Sequence, residues 1–117
     1  MKEAKEFMMI FRFEPKADYQ PTQEEINLQR KQWGGFIGQL ALNEKLVSTH
    51  QLGSEGAQLA ADHSITTGMC FSEGKAVGGN MIVRAKSLEE ATEMAKGCPI
   101  LHMGGTVEIR SITPMQA

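Results

Sequence analysis

The sequence predicts an α+β domain in which two helices pack on one face of an antiparallel sheet. Three observations carry this reading. Two capping-box patterns, Thr22-Gln23-Glu24-Glu25 and Ser87-Leu88-Glu89-Glu90, each open a run of apolar residues at helical spacing. Phe7 to Phe13 and Val107 to Arg110 alternate with the period of a strand. Between the helices lie further stretches rich in Val, Ile and Thr, which favour strands.

The first predicted strand, Phe7 to Phe13, puts Phe7, Met9, Phe11 and Phe13 on one face and Met8, Ile10 and Arg12 on the other. Both faces are largely apolar, which is the signature of a central strand. Glu14 to Gln20 is a polar loop containing Pro15. Thr22 then caps a helix whose stripe is Ile26, Trp33, Phe36, Ile37 and Leu40. Gly34-Gly35 interrupts it at about 0.5–1 kcal/mol per glycine, and the pair is expected to admit a strand or a partner helix at close range. The helix ends over Asn43 to Lys45, and Lys45 to Leu52 is the second predicted strand. Gly53 to Asp62 reads as a loop or arm. Ser64 to Ser72 and Gly78 to Lys86 read as two strands joined by the turn Glu73-Gly74-Lys75.

Ser87 caps the second helix, whose buried stripe is predicted as Leu88, Ala91, Ala95 and Cys98. Glu89 and Glu90 near its start and Lys96 near its end complement the helix dipole. Gly97 is expected to close it in the left-handed conformation, and Pro99 prevents continuation. Gly104-Gly105 turns into the last strand, and Thr113 to Ala117 is expected to be a loose tail.

The order is βαββαβ with one extra strand or arm before the third core strand. That is the ferredoxin-like arrangement. Phe7, Phe11, Met81, Val83, Val107 and Ile109 would face the helices. The other face would carry Met8, Ile10, Arg12, Asn80, Ile82, Arg84, Glu108, Arg110 and Ile112. With no third layer to cover it, such a mixed apolar and charged face is expected to be an interface or a ligand groove. A two-fold homodimer, sheet against sheet, is the simplest solution.

Composition narrows the classes of function. The 117 residues fit one domain, 1–117, and are 41% apolar and 22% charged, as in a folded soluble protein. The net charge is −2 and no basic cluster interleaves with aromatics, which argues against nucleic acid. No apolar run has the length of a membrane span, and the N-terminal run broken by Arg12 is a strand rather than a secretion signal. Cys70 and Cys98 form neither a zinc spacing nor a C-x-x-C pair; two free thiols point to the cytoplasm. No histidine pair has ligand spacing and no glycine-rich piece has nucleotide-binding context, so neither metal nor cofactor is expected.

The candidate chemistry lies on the helix-free face. Arg12, Arg84, Glu108 and Arg110 suit an anion or carboxylate through arginine's planar fork. Their bland reading is cross-strand ion pairing at a dimer interface, such as Glu108 with Arg12. His102, just before the Gly104-Gly105 turn, and His50, on the second strand, are the candidate acid/base groups. For each, the bland alternative is a surface or interface histidine. Trp33 is a core anchor of the first helix or, functionally, an aromatic wall of a cleft. Cys98 reads as a small buried hydrophobe; the chain has eight methionines, of which Met8, Met9, Met81 and Met94 read as core or interface residues.

Several stretches together resemble the YCII-related proteins, which carry a D-G-P-F motif. They are the C-terminal GCPILHMGGTVEIRSI, the opening EFMMIFRF, the helix with Trp33 and Ile37, the KLV strand, and GGNMIVRAKSLEEATEMAKGCP. The resemblance implies a dimeric α-β barrel and small-molecule chemistry without naming a reaction. The chain departs from the motif itself. Counting back from Gly78-Gly79 without a gap puts Thr67-Gly68-Met69-Cys70 there, while one deletion aligns Phe71-Ser72-Glu73-Gly74-Lys75 with the family's F-A-E-G-K. The aspartate and proline are missing either way, which puts in question any activity that relatives build on that turn. A catalytic His–Asp pair proposed for some relatives finds no counterpart in the adjacent Asp62-His63.

The expected function is therefore a small-molecule-binding protein that dimerises through its sheet. The alternative is an enzyme acting on a small anionic substrate in the cleft between subunits, with His102 or His50 as acid/base and Arg12 or Arg110 orienting the anion. A structural or regulatory interaction module is the third reading.

Overall fold

A computed structural model describes residues 4–15 and 20–115. Residues 16–19 of the expected loop and 116–117 of the expected tail lie outside them. The elements run β1 (Lys5–Phe13), α1 (Gln23–Leu42), β2 (Leu46–Gln51), β3 (Ala57–Leu59), β4 (Ile65–Thr67), β5 (Ala76–Ala85), α2 (Leu88–Ala95), a 3-10 turn (Pro99–Met103) and β6 (Thr106–Ser111). Four strands form an antiparallel sheet in the order β2-β5-β1-β6. With β3 and β4 set aside, this is the ferredoxin-like βαββαβ order, and β1 is central as its two apolar faces predict.

Both helices start as their sequences dictate. At α1 the Thr22 hydroxyl accepts from the Glu25 amide at 3.1 Å, and the Glu25 carboxylate accepts from the Thr22 amide at 2.9 Å. At α2 the box is offset by one residue. Ser87 Oγ accepts from the Glu90 amide at 3.2 Å, while Glu90 Oε1 accepts from the Lys86 amide at 3.0 Å rather than from Ser87. That bond, followed by Lys45 nearby, holds the Glu90 carboxyl below its ordinary value.

The core forms where the helices meet the sheet. Phe7, Met9, Phe11, Met81, Val83 and Ala85 are buried against Leu40, Ala91, Ala95, Cys98 and Ile100. Val107 and Ile109 are half-buried at its margin. Met8, Ile10 and Ile82, on the other face of the same strands, have no helix over them and stay half-exposed.

Four details differ from the sequence reading. Ser64 to Ser72 is not a strand of the main sheet: Ile65–Thr67 pairs only with Ala57–Leu59, as a separate hairpin. Its residues are β-branched, but all six strand positions are exposed, so propensity here reports local pairing and not membership of the core. Gly97 is not the left-handed closing residue. The α2 cap is Lys96 in right-handed geometry, and the positive φ falls at Gly104 (78°), after the 3-10 turn begun by Pro99. Leu88 is 51% exposed, because the first turn of α2 stands clear of the sheet. Finally, Gly34 and Gly35 admit nothing close: a Cβ at either would meet no atom within 4 Å. The close approaches are at Gly79, where a Cβ would lie 2.6 Å from the His50 carbonyl, and at Gly105, where it would strike Ile100 and the Arg12 carbonyl.

Candidate functional site

The two faces of the sheet present different chemistry. On the helix-free face, the register sets Ile10 of β1 between Asn80 of β5 and Glu108 of β6, and His50 of β2 beyond Asn80. Arg12 Nη1 donates to Glu108 Oε1 at 2.7 Å, and Arg110 Nη1 donates to Glu108 Oε2 at 3.2 Å. The Arg12 hydrogen bond, then that of Arg110, holds the Glu108 carboxyl below the ordinary carboxylate value. Two guanidinium groups on one carboxylate leave one net positive charge. The pairs are well exposed, so they add little to stability.

The structure thus brings Arg12, Glu108 and Arg110 together. Arg84 stands apart, opposite Glu6 near the other end of β5, and forms no ion pair with a described residue. The His50 ring lies 3.2 Å (Nδ1 to Oδ1) from Asn80 and is separated from Glu108 by three strand spacings, about 14 Å. His102 sits on the 3-10 turn, where it shares a shallow groove of about 430 Å³ with Lys31 and Phe36. The two histidines thus border different grooves. Asp62 accepts from the amide (3.0 Å) and the hydroxyl (2.7 Å) of Ser64, and so shapes the tip of the β3–β4 hairpin without forming a pair with His63.

Trp33 is on the opposite side of the sheet from the arginines. It projects from α1 toward β1, edge-on to Phe11 (centroids 5.4 Å apart, 69°) and to Phe36 (6.1 Å, 77°). Beside it, α1 and the sheet leave a cleft of about 690 Å³. Its walls are Phe11, Phe13, Ile26, Trp33, Ile37 and Ile100, with Gln29, Arg30, Thr49 and Gln51 as polar groups. Ile26, Arg30, Trp33 and Ile37 face it together because they recur every three to four residues on α1. Gly78 and Gly79 of β5 also border it, beside a bulge that re-aims the strand; the Phe13 ring stands where a Gly78 Cβ would go, and the His50 carbonyl where a Gly79 Cβ would go. His50 borders this cleft, but its ring is turned to Asn80 on the far face. Arg30 makes no ion pair with any described residue, and no carboxylate lines the cleft among the described residues.

The sequence reading missed Phe13, Arg30 and Gln51 as site residues. The available signal was spacing: Phe13 continues the inward row of β1, and Arg30 follows Ile26 by four residues and precedes Trp33 by three on α1. Elsewhere, burial pushes the Cys98 thiol up to about 11, which makes it an inert packing group. Cys70 is exposed and free. Among the described residues no cluster of three His, Cys, Asp or Glu side chains is placed to hold a metal ion. No described helix is long and apolar enough to cross a membrane.

No curated protein matches the chain significantly. The model of the YCII-related domain matches residues 6–116. That match spans both helices and all four strands of the main sheet, and the chain belongs to the YCII-related family.

Proposed function

We propose that the protein binds a small organic molecule in the cleft between α1 and the sheet, and that it works as a homodimer joined through the helix-free face. The carrying observation is the cleft itself. Its volume of about 690 Å³ lies in the range of ligand sites, roughly 300–1,000 Å³. Aromatic and aliphatic walls with a few polar groups are what such sites use to hold a ring and orient its substituents. Arg30, charged and without an ion-pair partner among the described residues, selects for an anionic substituent. Binding rather than acid/base catalysis is favoured, since the only ionisable side chains of the described lining are Arg30 and the outward-turned His50.

The helix-free face serves the dimer. Half-exposed Met8, Ile10 and Ile82 are sheltered when two sheets meet, and the Arg12–Glu108–Arg110 group borders the contact. The free thiols fit a cytoplasmic setting.

Trp33 is the chain's single tryptophan and lines the cleft, so its fluorescence reports occupancy directly. A screen of aromatic and aliphatic carboxylates is expected to yield ligands that shift the emission and raise the melting temperature. Arg30→Gln is expected to weaken those ligands about tenfold, as the loss of one charged contact does. Ligands that raise the melting temperature but leave Trp33 emission untouched, with Arg30→Gln without effect, count against this cleft.

A further inference from the structure

The β3–β4 hairpin is the one part of the described fold whose stability its own chain does not explain. Each strand has three residues, and all six are exposed. Leu59 and Ile65 lie directly opposite each other in the register and are 70% and 68% exposed. An isolated two-stranded hairpin is marginal in water unless it packs on something. Yet its tip is well specified: the Ala60 amide donates to the Ser64 carbonyl at 2.9 Å, Asp62 caps Ser64, and His63 takes a positive φ of 73°. The molecule is also wide for its length. Its radius of gyration is 16.1 Å against about 13 Å for a compact chain of this size, and it measures 48 × 46 × 20 Å, a thin slab.

We propose that this hairpin is a clasp that seats its Leu59–Ile65 pair on a second copy of the chain. The proposal rests on the sheet-to-sheet dimer and enlarges that contact. The helix-free face is four strands wide, six residues long at its edges and nine to ten along β1 and β5. That is a flat footprint of about 500 Å². A stable interface buries about 800 Å² of accessible surface per partner. The sheet face leaves little margin by itself, and an arm carrying two exposed, cross-paired aliphatic side chains is the surface that enlarges the contact. The arm leaves β2 and returns to β5 at one end of the sheet, so a two-fold axis through the face gives each copy one arm to lay on the other.

The test is sedimentation of the full chain across protein concentrations, for the natural sequence, for Leu59→Lys with Ile65→Lys, and for Ile82→Glu. The natural chain is expected to dimerise, and the arm variant to dissociate at least about tenfold more readily with an unchanged circular dichroism spectrum. Hydrogen exchange at the Ala57–Leu59 and Ile65–Thr67 amides gives a second reading that needs no variant: protection is expected to rise with the concentration of the natural chain. If Ile82→Glu weakens the dimer while the arm variant and the arm amides behave as though no partner were there, the clasp is overturned and the sheet dimer stands. If the natural chain stays monomeric, both fall. Arm amides unprotected at every concentration of pure protein also overturn the clasp, since the arm then waits for some other molecule.

Discussion

The two faces of one sheet differ less in composition than in cover. Met9, Met81 and Val83 are fully buried beneath the helices, while Met8, Ile10 and Ile82, their immediate neighbours on the same strands, are half-exposed. Strand alternation generates both sets equally. What separates them is that α1 and α2 both fall on one side. The covered side is itself incomplete, because a cleft of about 690 Å³ remains beside Trp33, between α1 and the bulged end of β5. An apolar strand face is therefore a demand for cover. Its own chain meets that demand in full under α2, in part under α1, and not at all on the far side.

Substitutions can break or sharpen this comparison. Met81→Ala should cost about 2–5 kcal/mol in urea unfolding, the penalty of a cavity in a packed core. Next to it, Ile82→Ala should cost less than about 1 kcal/mol in dilute protein, and more as concentration rises and folding becomes coupled to association. Equal losses at both positions at every concentration would erase the distinction between the faces. Gly79→Ala should cost about 1–3 kcal/mol, because the added carbon meets the His50 carbonyl at 2.6 Å and the strands must part. Gly35→Ala, on the open side of α1, should instead stabilise by about 0.5–1 kcal/mol, since nothing lies within 4 Å. A loss at Gly35 would show that a partner helix approaches there in solution.

The smallest effect is expected at Glu108. Its folded-state carboxyl titrates below its unfolded value, because Arg12 and Arg110 favour the anion. Its contribution is thus present above the ordinary value of 4.5 and is lost as pH falls through the lowered one. Melting curves of Glu108→Gln should accordingly show a shallower acid dependence than the natural chain, with little change near neutrality. Arg12→Ala should reproduce part of that change and also weaken self-association.

Local pattern sufficed for the capped helices, the central β1, the inward row from Phe7 to Val83 and the pairing of Arg12 with Glu108. These rest on short-range rules: cap geometry, alternation, and neighbouring strands that place opposite charges side by side. It failed for Ser64 to Ser72, whose β-branched residues pair with Ala57–Leu59 instead of joining the sheet. It failed also for Gly97, where Pro99 starts a 3-10 turn before the chain reverses at Gly104. Arg12, Glu108 and Arg110 meet on the helix-free face, and Arg84 shares that face nearer the other end of β5; Trp33 and His50 border the cleft under α1, and His102 sits on the 3-10 turn.

The residues alone settled which side chains would be apolar, which termini would be capped, and that a βαββαβ order would leave one sheet face uncovered. Only the assembled fold decided that a cleft of about 690 Å³ would open under α1. It also decided between the extra strand and the arm that the sequence left open: the segment after β2 leaves the sheet as a separate hairpin. Both outcomes depend on how elements distant in sequence meet: the bulge where Phe13 packs on Gly78, α1 beside it, and a hairpin that pairs only with itself. Periodicity describes one element at a time and carries no information about the gap between two.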